Sequence, residues 1–257
     1  MLALEARLAR RWSITNRDEH CQPHGGVLVY GFASKLFVES CPACDEPSGG
    51  GFCTVCAAAF TRVPNACARC GLAQPVRRCP RALGAWEVDA VVAPLAYGPP
   101  LDYYVHALKY RGARTLGRAL ALLLTPTLSA LRRDFDALVA VPLHRTRRCE
   151  RGYNQAQEIA RTLARELGLP ALQRGIARVA ATAAQTGQGA AERRAGVAHA
   201  FRIARSLEGR RIAIVDDVVT TGATVNALAA ELRAAGAAHC IAIAVARTAE
   251  PPQARNV

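Results

Sequence analysis

The run Ile212-Ala213-Ile214-Val215-Asp216-Asp217-Val218-Val219-Thr220-Thr221-Gly222-Ala223-Thr224 restricts the fold of this chain more than any other segment. Four successive apolar residues read as a strand buried on both faces, as strands of parallel sheets are. The two carboxylates follow at its carboxyl end, the edge of an open α/β sheet where ligands bind. Neighbouring carboxylates there accept hydrogen bonds from vicinal hydroxyls or hold Mg²⁺ through oxygen. Thr220 to Thr224 then supply hydroxyls and free backbone N–H groups in a loop entering a helix over Ala223 to Ala235, an arrangement that favours a phosphate. The run reads as a ribose-phosphate site. In the bland alternative the aspartates merely end a strand and Thr220 caps a helix, but the small-residue loop speaks against it. A nucleotide-hydrolase reading needs a Gly-rich loop ending in Gly-Lys-Ser/Thr, and the only lysines, Lys35 and Lys109, stand in no such setting.

Further segments extend the strand-helix alternation that indicates a parallel sheet. Ala90 to Tyr97 is apolar but interrupted by Pro94, which suits an edge strand. Leu101 to Tyr110 reads as a helix, and Thr115 to Arg133 as a longer one that Pro126 should bend or split. Ala137 to Val141 is a buried strand, Asn154 to Leu167 a helix stopped at Gly168 and Pro170, and Ile241 to Ala246 a last strand. No apolar run reaches the roughly 18 residues of a membrane span. With no secretory pattern at the N-terminus the expected location is cytoplasmic, and the ten cysteines then point away from disulfides.

Those cysteines form a repeat. Cys41-x-x-Cys44 and Cys53-x-x-Cys56, shifted by 26 residues, land on Cys67, Cys70, Cys79 and Ala82. A Cys-x-x-Cys turn points two thiolates at one ion, and two turns complete the tetrahedral set that structural Zn²⁺ prefers. The first unit is complete, with Gly49 to Gly51 permitting the reversal between its halves. The second has three thiols and needs a fourth ligand from elsewhere. A crossed set, Cys41/Cys44 with Cys67/Cys70, is an alternative that spacing does not exclude. The expected organisation is an N-terminal extension over 1–36 without assigned structure, a zinc-binding module over 37–84, an α/β domain over 85–250 and a tail over 251–257.

A basic segment, Pro142 to Gln155, leaves the strand ending at Val141 and brings Arg145, Arg147, Arg148 and Arg151 to the carboxyl edge. Guanidinium groups bind phosphate oxygens through paired hydrogen bonds, so Leu143, His144 and Arg145 are candidates for a pyrophosphate. His144 reads better as a hydrogen-bond donor than as a proton shuttle. Gln185 to Phe201, glycine-rich and carrying Arg193 and Arg194, is a candidate lid.

The acidic run closely resembles the phosphoribosyl pyrophosphate signature of type I phosphoribosyltransferases. That likeness implies a parallel sheet with helices on both faces and a small hood. It also implies that Asp216 and Asp217 hold ribose hydroxyls, and that Thr220, Thr221, Gly222, Ala223 and Thr224, entered through Val218 and Val219, hold the 5′-phosphate. Together with His106-Ala107-Leu108-Lys109-Tyr110-Arg111-Gly112, the Pro142 segment and Glu192-Arg193-Arg194, the chain resembles the ComF family over about residues 37 to 247. The chain departs from that pattern at Ala82, where a Cys is usual, and in the lid, at Gly189-Ala190 and Ala195-Gly196-Val197.

The resemblance implies binding of phosphoribosyl pyrophosphate with Mg²⁺ in DNA uptake, and Asp216, Asp217 and Arg145 as catalytic residues should transfer occur. A DNA-binding accessory with a regulatory nucleotide site is the rival reading, since residues 91–257 carry 23 Lys/Arg against 12 Asp/Glu. Single-stranded DNA and the competence machinery are its expected partners. Aromatic residues, 5% of the chain, are sparse for base stacking. A nucleobase salvage enzyme is the third reading, with its acceptor unnamed.

Overall fold

Two short strands, β1 (Ala90–Val92) and β2 (Leu95–Ala96), share one edge of a parallel sheet whose order runs on through β7 (His239–Arg247), β6 (Arg211–Val219) and β3 (Ala137–Ala140). The computed structural model describes residues 39–74, 79, 86–179 and 200–249. The expectations for 1–36, for the lid up to residue 199 and for the tail lie outside the described residues. Pro94 separates β1 from β2 because it has no N–H to give a ladder. Its carbonyl instead accepts Val63 N–H at 2.9 Å, while Ala68 O accepts Val91 N–H at 3.1 Å, so the cysteine-rich segment covers what would be an open edge.

Beyond the short helix α1 (Thr54–Ala57) of the cysteine-rich segment, the chain runs outward from β2 through α2 (Leu101–Tyr110) and α3 (Thr115–Ala130) to β3, then through α4 (Arg145–Arg151) and α5 (Gln155–Leu167) to residues 170–172, which bridge β3 at Leu138. After an antiparallel ribbon of β4 (Ile176–Arg178) and β5 (Phe201–Ile203), it returns to the middle of the sheet through β6, α6 (Ala223–Ala234) and β7. Right-handed crossovers in these opposite directions put α3 and α5 on one face and α6 on the other. The expected parallel sheet covered on both faces is therefore present.

Three local features differ from expectation. Helix α3 is continuous through Pro126 and stops at Ala130 rather than Arg133. Leu116, Leu120, Leu124 and Leu128 form one buried stripe on both sides of the proline. At roughly 1.5–3 kcal/mol per buried leucine, that stripe outweighs the roughly 3 kcal/mol that an interior proline costs. The basic segment after β3 is a helix, α4, over much of its length, closed by left-handed Gly152 (φ 73°). Strand β6 continues through the acidic pair to Val219, because β7 keeps pairing beside it, with Asp216 opposite Ala244 and Val219 opposite Arg247.

Buried residues of the sheet, the helices and the cysteine-rich segment join one apolar cluster. Phe52 and Phe60 meet Tyr104 of α2 edge-on, with centroids 4.8 and 5.9 Å away. Arg118 of α3 pairs with Glu39 and donates to Gly49 O at 3.1 Å. Among the described residues no helix is long and apolar enough to cross a membrane.

Asn154 links the sheet to α5. Its Oδ1 accepts Ala156 N–H at 3.0 Å as the helix cap, and its Nδ2 donates to Val141 O at 2.9 Å, both bonds buried. Asn154→Ala removes both at once and should lower stability by about 1–3 kcal/mol. Equilibrium denaturation in urea checks this, and a midpoint equal to that of the native chain would show the two bonds to be dispensable.

Candidate functional site

The connections after β3 and β6, neighbouring strands, leave for opposite faces of the sheet. A crevice opens at such a switch point, beyond the carboxyl ends of the strands. β3 stops at Ala140, opposite Val215 of β6, whereas β6 runs four residues further. Asp216 and Asp217 lie on that overhang, and Thr220 to Thr224 follow it. Leu143, His144 and Arg145 stand on the other side, after β3. The structure thus brings the two predicted groups to one place.

Asp217 is 3% exposed. Its Oδ2 forms an ion pair with Lys109 Nζ of α2 at 2.9 Å, and its Oδ1 accepts Val218 N–H at 2.7 Å. Asp216 Oδ1 accepts Asp217 N–H at 2.8 Å. Burial and the neighbouring Asp217 charge push the Asp216 carboxyl well above the usual carboxylate range, against the pull of Lys109. Burial works against the Lys109 charge too, but Asp217 and Asp216 outweigh it and raise its pKa. Helix α2 is anchored for this task by Tyr153, whose hydroxyl donates to Leu108 O.

Gly222 caps α6 in the left-handed region at φ 80°, with Trp86 packed against it: a Cβ there would lie 2.4 Å from the indole. Thr221 Oγ1 accepts Ala223 N–H at 3.3 Å, and Asn226 Oδ1 accepts Glu87 N–H at 2.5 Å, fastening the first turn to the segment that carries Trp86. Thr220 is exposed and Thr224 half-buried.

His144 caps α4, its Nδ1 accepting Thr146 N–H at 3.4 Å, so the neutral ring carries its proton on Nε2. Arg145 is exposed and carries no ion pair among the described residues. The four arginines do not all converge. Helical spacing turns Arg147 and Arg151 onto one face and Arg145 and Arg148 onto another. Arg151 lies over the Tyr110 ring at 4.9 Å and donates to Gln155 Oε1 at 3.0 Å.

All nine described cysteines are free thiols, and seven of them form two separate clusters, Cys41/Cys44/Cys53/Cys56 and Cys67/Cys70/Cys79, so the crossed set does not form. Within each cluster the sulfur atoms lie within 4.8 Å of one another. Cys44 and Cys53 Sγ are 3.7 Å apart, close to the edge of about 3.8 Å of a tetrahedron with Zn–S of about 2.3 Å. The residues fit Zn²⁺. Burial and the adjoining thiols push Cys56 up, and burial raises Cys70 to about 12, while, against burial, backbone N–H groups hold Cys41 and Cys67 down.

The 26-residue repeat extends to the backbone. Cys41 N–H donates to Glu46 O at 2.7 Å, and Cys67 N–H to Leu72 O at 2.8 Å. Asp45 N–H reaches Cys41 O at 3.0 Å, and Gly71 N–H reaches Cys67 O at 2.7 Å. Asp45 and Gly71 share the left-handed conformation, φ 63° and 71°. Each unit is the same knuckle, and Ala82, the fourth position of the second, lies outside the described residues.

Sequence reasoning placed Lys109 in a family motif without giving it a role, and it passed over Trp86. The scarcity of lysine in an arginine-rich chain, Lys35 and Lys109 alone, was the available signal.

The phosphoribosyl transferase domain family matches residues 151–255. DNA utilization protein YhgH of Salmonella typhi is 36% identical over 211 residues, 77% of this chain and 92% of that protein. The same protein of Escherichia coli (strain K12) is 36% identical over 198 residues, covering 73% and 86%. Competence protein F of Haemophilus influenzae is 32% identical over 199 residues, covering 72% and 86%.

Lys109→Met strands a buried carboxylate and should cost about 3–5 kcal/mol of folding stability. The double variant Lys109→Met/Asp217→Asn should recover most of that loss. Thermal or urea unfolding of the three proteins checks it; a double variant no more stable than Lys109→Met would show that the ion pair is not the cause.

Proposed function

This chain belongs to the ComF family, and from that premise we propose that the crevice between β3 and β6 binds phosphoribosyl pyrophosphate with Mg²⁺, in the service of DNA uptake or use. The observation that carries the reading is the meeting, at one switch point, of an acidic strand overhang, a Thr-rich helix entry and an exposed Arg145. Asp216 and Asp217 accept the ribose hydroxyls. Thr220, Thr221 and Thr224 and the first-turn N–H groups of α6 take the 5′-phosphate. Arg145, with His144 Nε2 and the backbone at Leu143, takes the pyrophosphate.

Lys109 already neutralises one Asp217 oxygen, so Asp216 and the ligand's own phosphates are the oxygen donors left for Mg²⁺, which suits an ion bound by few carboxylates. When bound, the ion offsets charge on the leaving pyrophosphate. Transfer breaks the bond between the anomeric carbon and a pyrophosphate oxygen and forms one to the acceptor, and it needs charge neutralisation and exclusion of water. Arg145 supplies the first from the protein, and the acidic pair holds the ribose as positive charge develops on it.

Isothermal calorimetry tests the binding. The native chain should bind phosphoribosyl pyrophosphate only weakly without Mg²⁺ and well with it, and Asp216→Asn should weaken binding about tenfold or more, roughly 1.4 kcal/mol per decade. A native chain with no Mg²⁺-dependent binding would refute the reading.

The excess of 23 basic over 12 acidic residues in 91–257 supports a direct DNA contact beside this site. Fluorescence anisotropy with a labelled single strand should then give an affinity that falls steeply as salt rises. No affinity at low ionic strength would remove the DNA contact and leave the nucleotide site standing alone.

A further inference from the structure

Arg247 ends β7 as a buried charge, 4% exposed. Its Nε–H donates to Cys70 O at 2.9 Å, and its Nη1–H donates to Val219 O at 2.9 Å, both in the interior. Cys70 is the second thiol of the Cys67-x-x-Cys70 turn, and Val219 is the residue immediately before Thr220. One rigid, planar guanidinium spans the second cysteine knuckle and the root of the ribose-phosphate loop. We propose that Arg247 is a positioning residue that couples metal occupancy of the Cys67/Cys70/Cys79 unit to the ligand affinity of the Thr220–Thr224 loop. The proposal rests on the ribose-phosphate reading above.

The knuckle is seated closely on the sheet edge, so a change in its shape is passed on to its neighbours. Ala68 O holds Val91 N–H at 3.1 Å, and a Cβ on Gly71, already left-handed, would come within 2.9 Å of Val91 Cγ1. Cys70 itself is fully buried. With an ion bound, the three thiolates are drawn to a common centre and the Cys70 carbonyl is fixed. Without one, nothing draws the three sulfur atoms, which lie within 4.8 Å of one another, to a common centre, and on this proposal the turn relaxes. The Cys70 carbonyl then shifts against the guanidinium. A buried charged donor follows its acceptor, and the other end of this one is Val219 O. That carbonyl also accepts Thr248 N–H at 3.2 Å, so the strand end keeps one bond while the other is redirected. The outcome is a re-aimed loop rather than a melted one. Coupling between two sites is reciprocal, so ligand on the loop must in turn retain metal in the knuckle. The first knuckle has no such bridge among the described residues. It is fastened to α3 through Arg118 instead.

The test uses the full zinc-loaded chain and two readouts, zinc release to the chromophore 4-(2-pyridylazo)resorcinol and calorimetry of phosphoribosyl pyrophosphate with Mg²⁺. The native chain should release zinc in two phases, the faster slowed by the ligand by about fivefold or more, the lower end of ordinary coupling. Cys79→Ser should lose the faster phase and bind the ligand about fivefold more weakly, the same coupling read from the other end. Arg247→Met should keep both phases while the ligand no longer slows either. Should Arg247→Met fail to fold, Cys79→Ser, which leaves Arg247 in place, decides alone. Ligand binding with unchanged zinc release in the native chain, or native affinity in Cys79→Ser, overturns the coupling and leaves the ribose-phosphate reading intact. A native chain that does not bind the ligand at all overturns both.

Discussion

The site depends on β6 pairing with β7 for four residues beyond the point where β3 stops. A strand that ended with its neighbour would place Asp216 and Asp217 in a loop, each free to choose a rotamer and a partner. Held in a ladder on one side only, their backbone is fixed while the β3 side stays open. The price of that rigidity is a carboxylate buried to 3% exposure, a state that needs a counter-charge. Lys109 provides it from α2, and α2 is in turn seated by Tyr153 and by the aromatic cluster around Tyr104.

Much of this was legible in the residues. Four apolar positions, an acidic pair and a Thr-Thr-Gly-Ala-Thr loop define strand, edge and helix start locally, and the Cys-x-x-Cys spacing defines the metal-binding turns but not which of them combine. The misreadings came from information that is not local. Periodicity cannot say that β7 would carry β6 past its aspartates. Composition cannot say that the arginines of Arg145–Arg151 would wind into a helix and separate by face. Pro126 is a breaker in isolation, and only the buried leucine stripe on either side decides that α3 continues. The partnership of Lys109 with Asp217 joins residues more than a hundred positions apart, and nothing in either segment announces the other.

The cysteine-rich segment does more than append a metal module to a sheet. It covers the β1/β2 edge with its own backbone hydrogen bonds and shares the apolar cluster of the α/β layers. An unpaired edge is an invitation to pair with another chain, so holding the knuckles in shape also protects the sheet. The two copies hold different elements, the first clasping α3 through Arg118 and the second reaching the last strand through Arg247.

The Lys109–Asp217 pair has a kinetic consequence. A phosphoribosyl donor is a polyanion, and a mouth presenting two bare carboxylates would repel it before any contact formed. An ammonium lodged in the floor of the crevice lowers that barrier, and the basic excess of residues 91–257 sets an attractive field beyond it. Such a mouth gains in the speed with which an anion arrives. On the proposed reading of the crevice, the same buried pair that steadies the fold also governs how often such a donor arrives.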